Sequence, residues 1–141
     1  MDRLFVETKG ELDIVNITSD LEKRVSSLPS GYLFLFLRST TSGLFINEDD
    51  PALLEDIREL LSRLVPKNAR YRHNSTWGDL NGHSHLRSLM LSSSLTLPVE
   101  NGHLALGTWQ SVFLIELDVR PRRREVVMGF VPEQKIDGVD V

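Results

Sequence analysis

The chain has no cysteine among its 141 residues. This excludes disulfide scaffolds, CxxC redox chemistry, cysteine nucleophiles and thiolate zinc sites, so any metal must be held by imidazole, carboxylate or water. An excess of positive charge is also missing. The 16 Lys and Arg against 20 Asp and Glu leave a formal net charge of −4, whereas a general nucleic-acid binder carries a basic face. No run approaches the ~20 apolar residues needed to span a bilayer. The first ten residues lack the charged-then-apolar pattern of a signal peptide. A cytoplasmic protein with no nucleic-acid and no membrane partner is expected. Internal repeats, low-complexity segments and linkers are absent, as are P-loop, GxGxxG, GxSxG and HExxH motifs.

What is present suits one domain, long enough to bury about two-thirds of its unfolded surface. Leu4 to Val6 is a short apolar run, and Leu12 and Ile14 alternate with polar neighbours as in a half-buried strand. Ser19 followed by Glu22 has the spacing of a capping box. With Leu21, Val25 and Leu28 on one face it predicts a short helix over 20–27. Tyr32 to Leu37 is apolar on both faces, which predicts a central strand covered on both sides. Asp50-Pro51 opens the clearest helix, with Leu53, Leu54, Ile57, Leu60, Leu61 and Leu64 as its core stripe and Pro66 as its stop. Residues 67–82 show no periodicity and read as a long loop, functional or disordered, followed by a short helix over 85–90. The last third reads as antiparallel strands, with Asn101-Gly102 as a hairpin turn. The sum is an α+β fold, a mainly antiparallel sheet with two to three short helices. Residues 1–131 form the domain and 132–141 a charged, flexible tail.

Three of the four histidines, His73, His83 and His85, fall in the long loop and the helix after it. Imidazole is the commonest zinc ligand, and three such ligands plus water make a catalytic site. On one helix, residues two apart point nearly opposite ways, so His83 and His85 can meet only if His83 precedes the first turn. The other reading is loop histidines satisfied by backbone or water. Asp79, between them, is a ligand, an orienting partner, a general base or simply a turn former. Ser39, Thr40 and Thr41, in the turn after the apolar strand, offer hydroxyls and amides to an anion or only shape the turn. Arg120 to Arg124 holds four arginines, which match phosphate oxygens well or form a solvated hairpin end. Trp109 is expected in the core, His103 in an exposed turn, and Gln110 facing a ligand or subunit boundary.

Taken together, Tyr71-Arg72-His73, Asn81-Gly82-His83-Ser84-His85, the strand Ser94-Leu95-Thr96-Leu97-Pro98-Val99 and the run Gly107-Thr108-Trp109-Gln110 resemble the YjbQ-like family. Its small members are often labelled secondary thiamine-phosphate synthases. Thr40-Thr41 and Asn47-Glu48 match a further family segment. The resemblance implies an α+β homotrimer with a small-ligand or metal site near subunit boundaries. By position, His73, His85 and Gln110 fall in the family's polar site, with Glu48 nearby. Many members carry histidine where this chain has Ser39, and His83 is expected to replace that imidazole. As an enzyme, the protein would bind a small phosphorylated metabolite and join a pyrimidine methyl diphosphate to a thiazole phosphate, or hydrolyse a phosphate ester. His73, His83 and His85 would hold a divalent ion such as zinc, Ser39, Thr40, Thr41, Arg122 and Arg124 would cradle phosphate, and Glu48 or Asp79 would handle protons. The alternative is a non-catalytic trimeric metal- or metabolite-binding protein.

Overall fold

A computed structural model describes residues 1–136. Twelve elements follow in chain order: β1 (Asp2–Glu7), β2 (Ile14–Asn16), α1 (Thr18–Val25), β3 (Gly31–Leu37), β4 (Ser42–Asn47), α2 (Pro51–Leu64), α3 (Asn74–Trp77), α4 (Gly82–Leu89), β5 (Ser94–Glu100), β6 (His103–Leu104), β7 (Ser111–Glu116) and β8 (Arg123–Pro132). The strands make a five-stranded sheet, β1-β8-β3-β5-β6, and a three-stranded sheet, β2-β7-β4. Every pairing is antiparallel. The expected α+β class holds, with four helices among the described residues rather than two or three. None of these helices is long and apolar enough to cross a membrane.

Alternation along the strands sorts the side chains into layers. The inner face of the large sheet contributes Leu4, Val6, Leu33, Leu35, Leu37, Leu97, Val99, Val126 and Met128 to the main core. The small sheet answers with Leu44, Val112 and Leu114, α1 inserts Leu21 and Val25, and Ile17 joins them from the residue before α1. On the far face of the small sheet, Ile115 and Leu117 pack with Leu61 of α2. Only Leu61 of the α2 stripe is buried, and Leu60 and Leu64 remain exposed.

Three local expectations fail for identifiable reasons. The strand β3 is central, yet its outer face is bare: Tyr32, Phe34 and Phe36 are 46%, 43% and 53% exposed. No described layer packs on that side. The capping box does not form, because α1 begins two residues earlier than expected, at Thr18. Glu22 instead accepts a hydrogen bond from the Leu104 amide (3.1 Å), tying α1 to β6. Strand β8 runs to Pro132, into the segment expected as tail, and residues 137–141 of that tail lie outside the described residues. The Asp50 cap forms as expected, its carboxylate accepting from the Leu53 amide (3.0 Å). Asn101 and Gly102 take the positive φ values, 48° and 82°, of the two-residue hairpin turn.

Candidate functional site

The segment 67–82 is less shapeless than its composition suggests. A turn at Tyr71 leads into α3, and Gly78 ends that helix in the left-handed region (φ 73°). Asn74 then folds the segment back, its side-chain oxygen accepting from the Gly82 amide at the start of α4 (2.9 Å). Gly82 is needed for contact rather than for an unusual φ. A Cβ there would lie 2.7 Å from the Tyr71 Cβ and 3.0 Å from the Asn74 oxygen. The Tyr71 hydroxyl donates to the Pro66 carbonyl (2.5 Å) and anchors the other end.

This folding brings His73 against His85, with ring centroids 4.4 Å apart and planes at 49°. The pair opens into a cavity of about 1140 Å³ also lined by Arg70, Tyr71, Arg72, Asn74 and Ser75. Burial lowers the His85 pKa from its usual value and the neighbouring His73 lowers it further, while Asp118 and Asp79 pull the other way. Asp79 therefore acts on His85 only through its field. It is exposed, and among the described residues its carboxylate makes no hydrogen bond or ion pair. The His73 Nδ1 is buried with no hydrogen-bond partner.

His83 does not join them. It lies on α4 itself, two residues from His85, and helical geometry turns it to the opposite face. There it is fully buried with Nε2 3.3 Å from a Glu11 oxygen. Glu11 also receives Lys67 (3.3 Å) and Arg87 (3.4 Å). Arg87, one helical turn after His83, is 1% exposed and donates to the Val65 carbonyl (3.0 Å). Burial lowers the His83 pKa, and Glu11 opposes that without reversing it. A neutral imidazole donating from Nε2 to the carboxylate fits this balance. Burial pushes Glu11 up, but the hydrogen bonds from His83 and Lys67 outweigh it and the net change is downward. The three-histidine metal set thus does not assemble within one chain, and His83 instead packs into a partly buried cluster around Glu11. Among the described residues no three His, Asp or Glu side chains gather as metal ligands. His73 and His85 alone fall one donor short of a catalytic zinc site.

The expected phosphate cradle is brought together, but its donors are already used. Arg124 donates to Glu116 (2.8 Å from Nε) and to the Thr41 carbonyl and hydroxyl (3.0 and 2.8 Å). Arg122 grips Asp118 through two nitrogens (3.1 and 2.7 Å). Asp118 has its pKa lowered: burial raises it, and the bonds from Arg122, the Val119 amide and Asn81 more than compensate. Ser39 accepts from the Thr41 amide (3.1 Å), which is turn formation, and Thr40 is exposed. These groups seal the end of the small sheet beneath α4, where Asn81 donates to Asp118 (3.3 Å).

Glu48 and Gln110 sit elsewhere. Asn47 pairs with Ser111 at one end of the β4–β7 ladder and Ser42 with Glu116 at the other, about 17 Å of strand away at ~3.4 Å per residue. With Ile46, Asn47 and Trp109, Glu48 and Gln110 line a separate cleft of about 490 Å³. The Gln110 side chain accepts from the Gly107 amide (2.8 Å), closing its own turn. Trp109, expected in the core, is 73% exposed. His103 is exposed as expected.

Sequence reasoning missed Glu11, Lys67, Arg87, Asn81 and Asp118, and gave Arg70 no role. One signal was available: Arg87 follows His83 at i+4, so the pair shares a face that excludes His85. Nothing local marks Glu11, whose partners lie 56 or more residues away along the chain.

The sequence profile of the family described as UPF0047 protein YjbQ-like matches residues 2–133. A UPF0047 protein of Methanothermobacter thermautotrophicus is 42% identical over 86% of this chain and 84% of its own. Among solved structures, a YbjQ-like protein of unknown function from Sulfolobus solfataricus superposes with a TM-score of 0.86 at 30% identity, covering 94% of this chain and 96% of that one. A conserved hypothetical protein of Thermus thermophilus gives 0.83 at 39% identity, covering 93% and 100%.

Proposed function

The chain belongs to the YjbQ-like UPF0047 family, and on that premise we propose that it is a cytoplasmic enzyme acting on a small phosphorylated metabolite, with His73 and His85 as its proton-handling pair. The observation that carries this reading is the contact of the two imidazoles, 4.4 Å between centroids, at the wall of a cavity of about 1140 Å³. At this distance a charge on His73 disfavours a charge on His85. His85, kept below its usual pKa by burial and by His73, is a neutral base at pH 7. In ester hydrolysis it takes the proton of the attacking water as the new oxygen–phosphorus bond forms, and the leaving alkoxide takes a proton from the pair. In a thiamine-phosphate-synthase-type transfer, a ring nitrogen displaces diphosphate from a methylene carbon, and the pair meets the departing anion as hydrogen-bond donor. A divalent ion such as zinc enters this reading only with a third donor from outside the chain. The buried, unpartnered Nδ1 of His73 is the group that favours one.

The bare outer face of the large sheet supports self-association, and we take the partner to be further copies of this chain, as a homotrimer. Tyr32, Phe34 and Phe36 form a continuous apolar row with Val131 across the β3–β8 ladder. A sheet face of this composition in water marks an interaction surface. Light scattering should give a trimer for the wild-type chain and smaller species for Phe34→Lys.

Activity decides the rest. Hydrolysis of phosphate esters and rescue of a thiamine-requiring strain should both be measured for the wild-type chain, His73→Ala and His85→Ala, all purified without a histidine tag. Loss of proton transfer should cost about 100-fold or more in rate. Unchanged rescue by both variants would remove the pair from the chemistry and leave the non-catalytic binding protein as the reading.

A further inference from the structure

We propose that the cavity at His73 and His85 is an anion site in which Arg70 and Arg72 hold a terminal phosphate or diphosphate group. This inference rests on the functional reading above and deepens it by assigning the residues that recognise the ligand.

Charge bookkeeping in this chain points there. The protein carries a net charge of −4, yet the cavity is lined by two arginines and by no aspartate or glutamate. Seven arginines elsewhere are matched to carboxylates: Arg3 and Arg38 to Glu125, Arg58 to Glu55, Arg87 to Glu11, Arg122 to Asp118, Arg123 to Glu7 and Arg124 to Glu116. Arg24, Arg63 and Arg120 have no such partner among the described residues, but none of the three lines the cavity. Among the described residues, Arg70 and Arg72 make no side-chain hydrogen bond and no ion pair, although both reach the cavity wall. The Tyr71 between them is fixed at its ring end by the Pro66 carbonyl and at its Cβ by Gly82. The two cations are therefore held on either side of an anchored residue. Two planar forks match the oxygens of one phosphoryl group, or of two linked ones, better than a single carboxylate. Ser75 adds a hydroxyl on the same wall, and the imidazole pair lies beside it. The arginines placed in this role by sequence, Arg122 and Arg124, have no such freedom.

The concave wall, with only two arginines in an acidic chain, selects a small metabolite rather than a nucleic-acid backbone. Inorganic diphosphate and orthophosphate are the probes, titrated calorimetrically into the full chain. Arg70→Gln and Arg72→Gln should each weaken diphosphate binding about tenfold or more. The double variant should abolish it, while Arg120→Gln, outside the cavity, should leave it unchanged. Binding should also fall as salt rises. Should a variant fail to fold, the wild-type chain still answers. Diphosphate should protect Arg70 and Arg72 from an arginine-specific dicarbonyl reagent, mapped by mass spectrometry, and leave Arg120 labelled. Undiminished binding by the folded double variant, no binding by wild type at millimolar probe, or tighter binding of a single-stranded oligonucleotide would each overturn the assignment. The two readings separate cleanly. Arginine-dependent diphosphate binding without turnover sinks the enzyme and keeps the anion site. Histidine-dependent turnover with arginine-independent binding does the reverse.

Discussion

The two faces of α4 carry the same side chain two residues apart and put it to opposite uses. His83 is sealed from water against Glu11, in company with Lys67 and Arg87. His85 opens into the cavity beside His73. The difference comes from about 200° of helical rotation and from what each face meets. One face meets a distant carboxylate delivered by the turn before β2, and the other a loop folded back through Asn74 and Gly82. An imidazole is thus buried or opened to a cavity by its surroundings, and a cluster of histidines in sequence does not amount to a cluster in space.

That contrast can be broken from either side. The largest expected effect is on the open face: His85→Ala should lose about 100-fold or more in rate while shifting the melting temperature little, since its side chain is only half-buried. On the sealed face, Glu11→Ala should do the opposite. It strands the buried Arg87 and His83 without their carboxylate, at a cost of about 2–3 kcal/mol in thermal or denaturant unfolding. Gly82→Ala tests the join between the faces. Its Cβ would press on Tyr71 and Asn74, so about 1–2 kcal/mol of stability and a displaced His73 should be lost together, seen as a fall in both melting temperature and rate. The smallest effect is in pH. His83 and His85 have folded pKa values below the free value of about 6.5. Their share of stability is whole above that pH and drains away as pH falls below it, because the unfolded chain takes up protons first. His83→Gln should flatten the slope of melting temperature against pH below about 6.5. Glu11 and Asp118, both lowered, add their own loss only below about pH 4.

Much of the fold was legible because its signals are local. Asp50-Pro51 opens α2, Asn101-Gly102 makes the hairpin, and the alternation at Leu95, Leu97 and Val99 marks β5. The capping box misled because Glu22 found a better partner in the Leu104 amide, a contact 82 residues away. Trp109 and the outer row of β3 misled because hydrophobicity reports a preference for burial without saying in which molecule it is met. At the site, sequence placed His73 and His85 together and gave Arg122 and Arg124 a free hand they do not have. Whether an arginine is free depends on every carboxylate the fold brings to it, and Glu116 and Asp118 are buried on the same strand end.

The bare rings of β3 carry a further consequence. Both edges of that strand are spent, one on β5 and one on β8, so nothing can add to β3 edge-on, and a partner that covers these rings must meet them flat. Contact of that kind gains from expelled water more than from new polar bonds, and its driving force near room temperature is entropic. An assembly held this way would loosen in the cold and tolerate brine.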